Sequence, residues 1–176
     1  MLLLAKFIGK VLAVLNSEES PKQLAAGFAF GAWIGLLPVT SLLSTVFVLL
    51  SFLINVNLAI LAVGAGVFKL VAFAVDPIAN QVGYLLLTKV PSLHPLWTEL
   101  YNLPIVPYTR FNNTIVLGSF VIGFLLLVPN YMLGKRLVAY YRANFRDKVQ
   151  QFKIVKFFKA SSFYRYYESY RGITGE

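Results

Sequence analysis

Between Leu24 and Thr88 the chain carries only two charged residues, Lys69 and Asp76. A charge at mid-bilayer costs about 2.5–3.5 kcal/mol on insertion scales, so such residues face protein or water and take a partner. Seven positions on a helix return nearly to the same face, with roughly 10 Å of axial separation. Asn80 lies one turn beyond Asp76, and Asn55, Asn57 and Gln81 offer further amides. Gathered together, Lys69, Asp76, Asn80 and Asn57 would form a polar cavity for an ion, a headgroup or a proton. The same residues also fit a structural role, in which Lys69 snorkels and Asp76-Pro77 starts a new helix near an interface.

Catalytic chemistry has less to work with. His94 is the single histidine and there is no cysteine, so thiol nucleophiles are excluded and a zinc site has no ligand set. Paired carboxylates, a phosphate loop, a nucleophile elbow and a metalloprotease helix are all missing from the sequence. Ser41, Ser44 and Thr45 follow Pro38 without a base partner, and read as helix hydroxyls bonded to backbone one turn back. The expectation is a protein with no catalytic residues, no metal and no cofactor.

The elements that must position these residues belong in lipid. Of 176 residues, 58% are hydrophobic and 13% charged, with a mean hydropathy of +0.70; a soluble domain carries about a quarter charged residues. The body of the chain opens with Gly27, Gly31 and Gly35 on one helical stripe, followed by a break at Pro38. Glycines at i, i+4 and i+8 let another helix backbone approach closely in a membrane. These four residues are the expected packing centre, serving contacts within the chain before any dimer.

Further breaks are expected at Asn55-Val56-Asn57 and at Asp76-Pro77. None is a polar loop of ordinary length, so re-entrant or broken helices are expected where neighbouring protein covers the freed backbone. Residues 89–113 hold four prolines among Trp97, Tyr101 and Tyr108. This segment reads as an outer loop on the membrane surface. Thr114 to Met132 is uncharged over nineteen residues and is the clearest crossing.

Residues 1–19 place Leu4, Phe7, Ile8, Val11, Leu12 and Leu15 on one face, against Lys6, Lys10 and Ser17. That pattern fits an interfacial amphipathic helix retained in the protein rather than a cleaved signal, or else an ordinary surface helix. From Leu133 onward there are ten basic and three acidic residues, so seven of the nine net positive charges lie in the last 44 positions. Interleaved with phenylalanine and tyrosine, this tail has a composition shared with nucleic-acid binders. Beside a crossing it reads as a surface for anionic lipid, with Lys135, Arg136, Arg142 and Arg146 expected on headgroups and no nucleic acid bound.

Basic residues near both ends place both termini in the cytoplasm by the positive-inside rule. The number of crossings is then even: four, with three inside 24–88, or two with re-entrant segments. The fold class is all-α: a polytopic helical membrane protein with broken or re-entrant helices and interfacial amphipathic helices. The organisation is 1–19 interfacial helix, 20–132 membrane-embedded domain and 133–176 basic cytoplasmic tail.

Ser20-Pro21, the run Ala25-Ala26-Gly27-Phe28-Ala29-Phe30-Gly31, Gly35-x-x-Pro38, Thr45 and Asn57-Leu58 carry a resemblance. Over about residues 20 to 88 the chain resembles a bacterial membrane family, domain of unknown function 2062 or a close relative. The resemblance implies a bacterial inner-membrane protein and no assigned activity. Where that family usually has an Asn-Pro pair after a Gly-Thr-containing segment, this chain departs from the pattern, with Asp76-Pro77 in a similar place after Gly64-Ala65-Gly66.

The functional expectation is a non-enzymatic inner-membrane subunit that anchors or assists a larger envelope protein in lipid handling. The contrasting expectation is a small transporter or channel built on the Lys69/Asp76/Asn80 cluster. Expected partners are membrane lipids, and a larger membrane or periplasmic protein or a second copy of the chain.

Overall fold

The computed structural model describes residues 11, 12, 14–16 and 19–145. Most of the expected amphipathic helix at 1–19, and the tail from Arg146 onward, lie outside the described residues. Among those described, every regular element is helical, in agreement with the all-α reading.

The principal helices begin on side-chain caps. Helix α1 (Pro21–Leu36) starts at Ser20, whose hydroxyl accepts from the Lys22 amide, with proline at the first turn. Helix α2 (Leu42–Leu53) starts at Ser41 and α3 (Leu58–Tyr84) at Asn57, each accepting from the amide three residues on. Helix α5 (Thr114–Asn144) starts at Asn113, which accepts from Ile115 and Val116. Serine and asparagine at these positions satisfy amides that have no partner within the helix.

The breaks have equally local causes. Pro38 disfavours helical dihedrals at the residue before it, and Leu37 is extended, at φ −70° and ψ 140°. The second break, at Ile54–Asn57, falls where the asparagines stand. The third expected break does not form. Pro77 lies inside α3, which runs on to Tyr84 and then through a π-helical turn at Leu85–Lys89. Likewise Pro129 lies inside α5, so that helix continues past Met132 to Asn144. In a long apolar helix, neighbouring groups can absorb the proline's missing amide.

Among the described residues, two helices are long and apolar enough to cross a membrane, Leu58–Lys89 with 32 residues and Thr114–Asn144 with 31. That number matches the two-crossing alternative rather than four. With 16 and 12 residues, α1 and α2 form a shorter hairpin. The loop between the long helices contains short turns at Pro91–Leu93 and Val106–Thr109 and the nine-residue α4 (His94–Asn102). Here the Trp97 indole donates to the Leu86 carbonyl at 3.0 Å, which ties the loop to the end of α3.

Helix α1 is the centre of the packing. A Cβ built on Gly27, Gly31 or Gly35 would meet the carbonyl oxygen of Asn57, Leu61 or Ala65 at 2.6, 2.1 and 2.5 Å. The register rises together on both helices, so α1 and α3 run parallel at backbone contact. On another side of α1, Trp33 packs on Gly123, stacks near Phe47 and Phe120, and donates its indole N–H to the Phe120 carbonyl at 3.1 Å. Gly134 faces Ala25 one end further on, so α5 runs antiparallel to α1.

Candidate functional site: the tip of the helical hairpin

The tip of the α1–α2 hairpin carries polar backbone freed by Pro38, and several of its groups are paired locally. The Leu37 amide bonds Ile34, and the Ser41 amide and hydroxyl both donate to the Pro38 carbonyl. The Ser44 hydroxyl donates to the Ser41 and Val39 carbonyls. The carbonyl of Leu37, where the bend begins, accepts from Lys69 Nζ at 3.0 Å. Lys69 sits near the middle of α3, and Gly35 meets Ala65 and Phe68 just before it. The hairpin therefore turns back beside the middle of α3, with an ammonium on the negative end of α1, where a cation is favoured.

Against the same tip lies the end of the outer loop. Arg110 Nη1 donates to Thr40 Oγ1 at 3.3 Å. Between them opens a cleft of about 460 Å3, lined by Thr40, Ser41, Thr45, Tyr108 and Arg110 with Val39, Leu42 and Pro107. Arg110 holds the left-handed conformation, φ 58° and ψ 30°, which costs about 1–2 kcal/mol in a residue with a side chain. The only formal charge in the lining is that guanidinium.

A second polar cluster closes the opposite end. Asn57 Nδ2 donates to Glu19 Oε2 at 2.7 Å, and Arg142 Nη2 donates to the Glu19 carbonyl at 2.7 Å. Arg142 Nε reaches the Leu15 carbonyl at 3.4 Å, and Asn16 Nδ2 donates to the Tyr141 hydroxyl at 2.9 Å. Glu19 and Asn16 are both buried. This latch fastens the N-terminal segment to the start of α3 and the end of α5, which puts the two ends of the described chain side by side.

The four residues expected to form one polar cavity are not brought together. From Asn57 to Asp76 is nineteen residues, about 28 Å along a helix. Lys69 serves the hairpin tip, Asn57 serves the latch, and Asn80 accepts from the Thr114 hydroxyl at the start of α5. Asp76 lies half-buried within α3, ahead of a proline that does not break the helix. Of the residues expected on lipid headgroups, Lys135 and Arg136 are exposed. Arg142 instead turns inward, because Val138, one turn before it, is already buried in the core beside Leu24 and Ile60. Arg146 lies outside the described residues.

No pattern in the sequence singled out Arg110, Glu19 or Thr40. One signal was available for Arg110, since it and Lys89 are the two Lys or Arg residues in 89–113, one at each end of the loop. Glu19 had none, because a carboxylate before a helix-opening serine and proline looks like an exposed charge.

A pair of long apolar helices, in backbone contact where Gly118 meets Ala79 and Gly83 meets Thr114 and both packed on one glycine-rich helix, defines a small all-α protein of membrane-spanning composition. The chain belongs to the family described as an uncharacterized protein conserved in bacteria, domain of unknown function 2062, whose model matches residues 5–146. That match extends well beyond the segment that carried the resemblance. An uncharacterized protein of Treponema pallidum (strain Nichols) is 31% identical over 135 residues, covering 77% of this chain and 83% of that one. No solved structure matches the chain.

Proposed function

We propose that the protein is a non-enzymatic subunit of the bacterial inner membrane that assists a larger envelope protein in handling lipid. In this reading α3 and α5 cross the bilayer, the α1–α2 hairpin enters and leaves on the cytoplasmic side, and both termini are cytoplasmic. The adjacency of Glu19 and Arg142 supports termini on one side, and the basic residues around Lys135 and Arg136 support that side being the cytoplasm.

The observation that carries the lipid reading is helix α2. Only Ser44 and Ser51 of its twelve residues are buried, while Leu49, Phe52 and Leu53 are strongly exposed. Such a helix faces lipid on most of its surface, yet at about 18 Å it is too short for a hydrocarbon layer of about 30 Å. The polar tip at its start then sits where acyl chains would otherwise lie, and the bilayer thins or deforms around it. Local thinning lowers the barrier to moving a headgroup. The transporter reading has lost the polar cluster that motivated it.

The test is extraction from native membranes in polymer nanodiscs, with counting of co-purifying protein and lipid. The expected result is a larger membrane protein at fixed stoichiometry, with anionic lipid enriched over the bulk membrane. A chain that emerges alone, in lipid of bulk composition, contradicts the proposal.

A further inference from the structure

We infer that the cleft between the hairpin tip and Arg110 binds the phosphate headgroup of an anionic lipid. This rests on the lipid-handling reading and assigns it a site.

Three features of the cleft point to that chemistry. Its only formal charge is the Arg110 guanidinium, and no carboxylate lines it to compete with an incoming anion. Guanidinium matches phosphate geometry through paired N–H donors, and charge-assisted bonds of this kind are stronger than neutral ones. The hydroxyls of Thr40 and Thr45 stand in the same lining as further donors, and Thr40 is already within hydrogen-bond distance of the guanidinium. The first turn of α2 adds partial positive charge, although Ser41 already caps one of its amides.

The backbone at Arg110 is the second line of argument. Asparagine or glycine would hold a left-handed conformation at less cost, and two asparagines stand close by, at Asn112 and Asn113. The chain nevertheless places arginine there, which aims the side chain back at the hairpin. A positive charge at that point is what the strain supports.

The rest of the lining specifies a lipid. Val39, Leu42 and Pro107 make the remainder apolar, and Val39 and Tyr108 are each 72% exposed. The cleft continues directly onto α2, where Val46, Leu49 and Leu53 present an apolar surface. A ligand with a phosphate head and acyl chains satisfies both parts, with its head on Arg110 and Thr40 and its tails along α2. Inorganic phosphate satisfies only the first.

The full-length protein in phosphatidylcholine nanodiscs is titrated with short-chain phosphatidic acid, and separately with inorganic phosphate. Bound lipid is counted by native mass spectrometry. Wild type is expected to take up one phosphatidic acid saturably and to be displaced only weakly by phosphate. Arg110→Asn, which suits the left-handed backbone and removes the charge, is expected to bind about ten- to hundredfold more weakly. Thr40→Val, an isosteric change at an exposed position, is expected to weaken binding about three- to tenfold. Phosphate binding as tightly as the lipid overturns the lipid assignment. Unchanged affinity in both variants, or no saturable binding by wild type, overturns the site. If both variants bind normally while native nanodiscs still carry enriched anionic lipid, the site falls and the lipid-handling reading stands. If that enrichment is missing, the reading itself falls.

Discussion

The ammonium of Lys69 lies 3.0 Å from the carbonyl oxygen of Leu37, thirty-two positions earlier in the chain. One bond thus joins the middle of α3 to the point where α1 ends. The most expensive residue in the apolar body serves the backbone group that Pro38 released.

Removing that donor leaves a carbonyl at the bend without its partner. Lys69→Met is therefore expected to destabilise the protein by about 1–3 kcal/mol, read as a lower unfolding midpoint in detergent. Lys69→Arg keeps a donor and is expected to lose less. A methionine variant that melts with wild type would show that the bond contributes nothing to stability.

The glycine stripe gives a prediction with an internal control. A Cβ on Gly31 would meet the Leu61 carbonyl oxygen and carbon, at 2.1 and 2.9 Å, and both are backbone atoms that cannot swing aside. Gly31→Ala is expected to cost about 1–3 kcal/mol, as overpacking does. Gly66, two positions beyond the partner stripe of Gly64, has open space where its Cβ would go. Gly66→Ala should then be neutral or slightly stabilising. Equal melting behaviour in the two variants would refute the parallel register of α1 and α3.

At the latch, Asn57 does two things. Its Oδ1 caps α3 through the Ile60 amide, and its Nδ2 donates to the buried Glu19 carboxylate. Asn57→Asp keeps the cap but sets a second carboxylate against Glu19, and is expected to destabilise. Adding Glu19→Gln restores a donor between the two side chains. The double variant should recover about 1 kcal/mol or more relative to additivity. Strict additivity in that cycle would break the proposed coupling between the two residues.

The sequence made some of these features readable and concealed others for identifiable reasons. Capping residues and Pro38 act locally, so the starts of α1, α2 and α3 could be read from Ser20, Ser41 and Asn57. The glycine spacing announced a close contact, and the structure supplies α3 as the partner. Pro77 misled, because whether proline breaks a helix depends on neighbours that the sequence does not place. Arg142 misled for the same reason. Composition puts Arg142 among surface charges, and only tertiary contact turns it toward Leu15 and Glu19.

In the proposed topology α3 and α5 cross a bilayer while the α1–α2 hairpin returns to the side of the termini. The absence of cysteine from the sequence makes one measurement direct. Single cysteines at Asn55, Asn102 and Lys135, all exposed positions, are reacted with a membrane-impermeant maleimide in oriented vesicles. Asn55→Cys and Lys135→Cys are expected to label from the cytoplasmic side and Asn102→Cys from the opposite side. Labelling of Asn102→Cys from the same side as Lys135→Cys would contradict that topology.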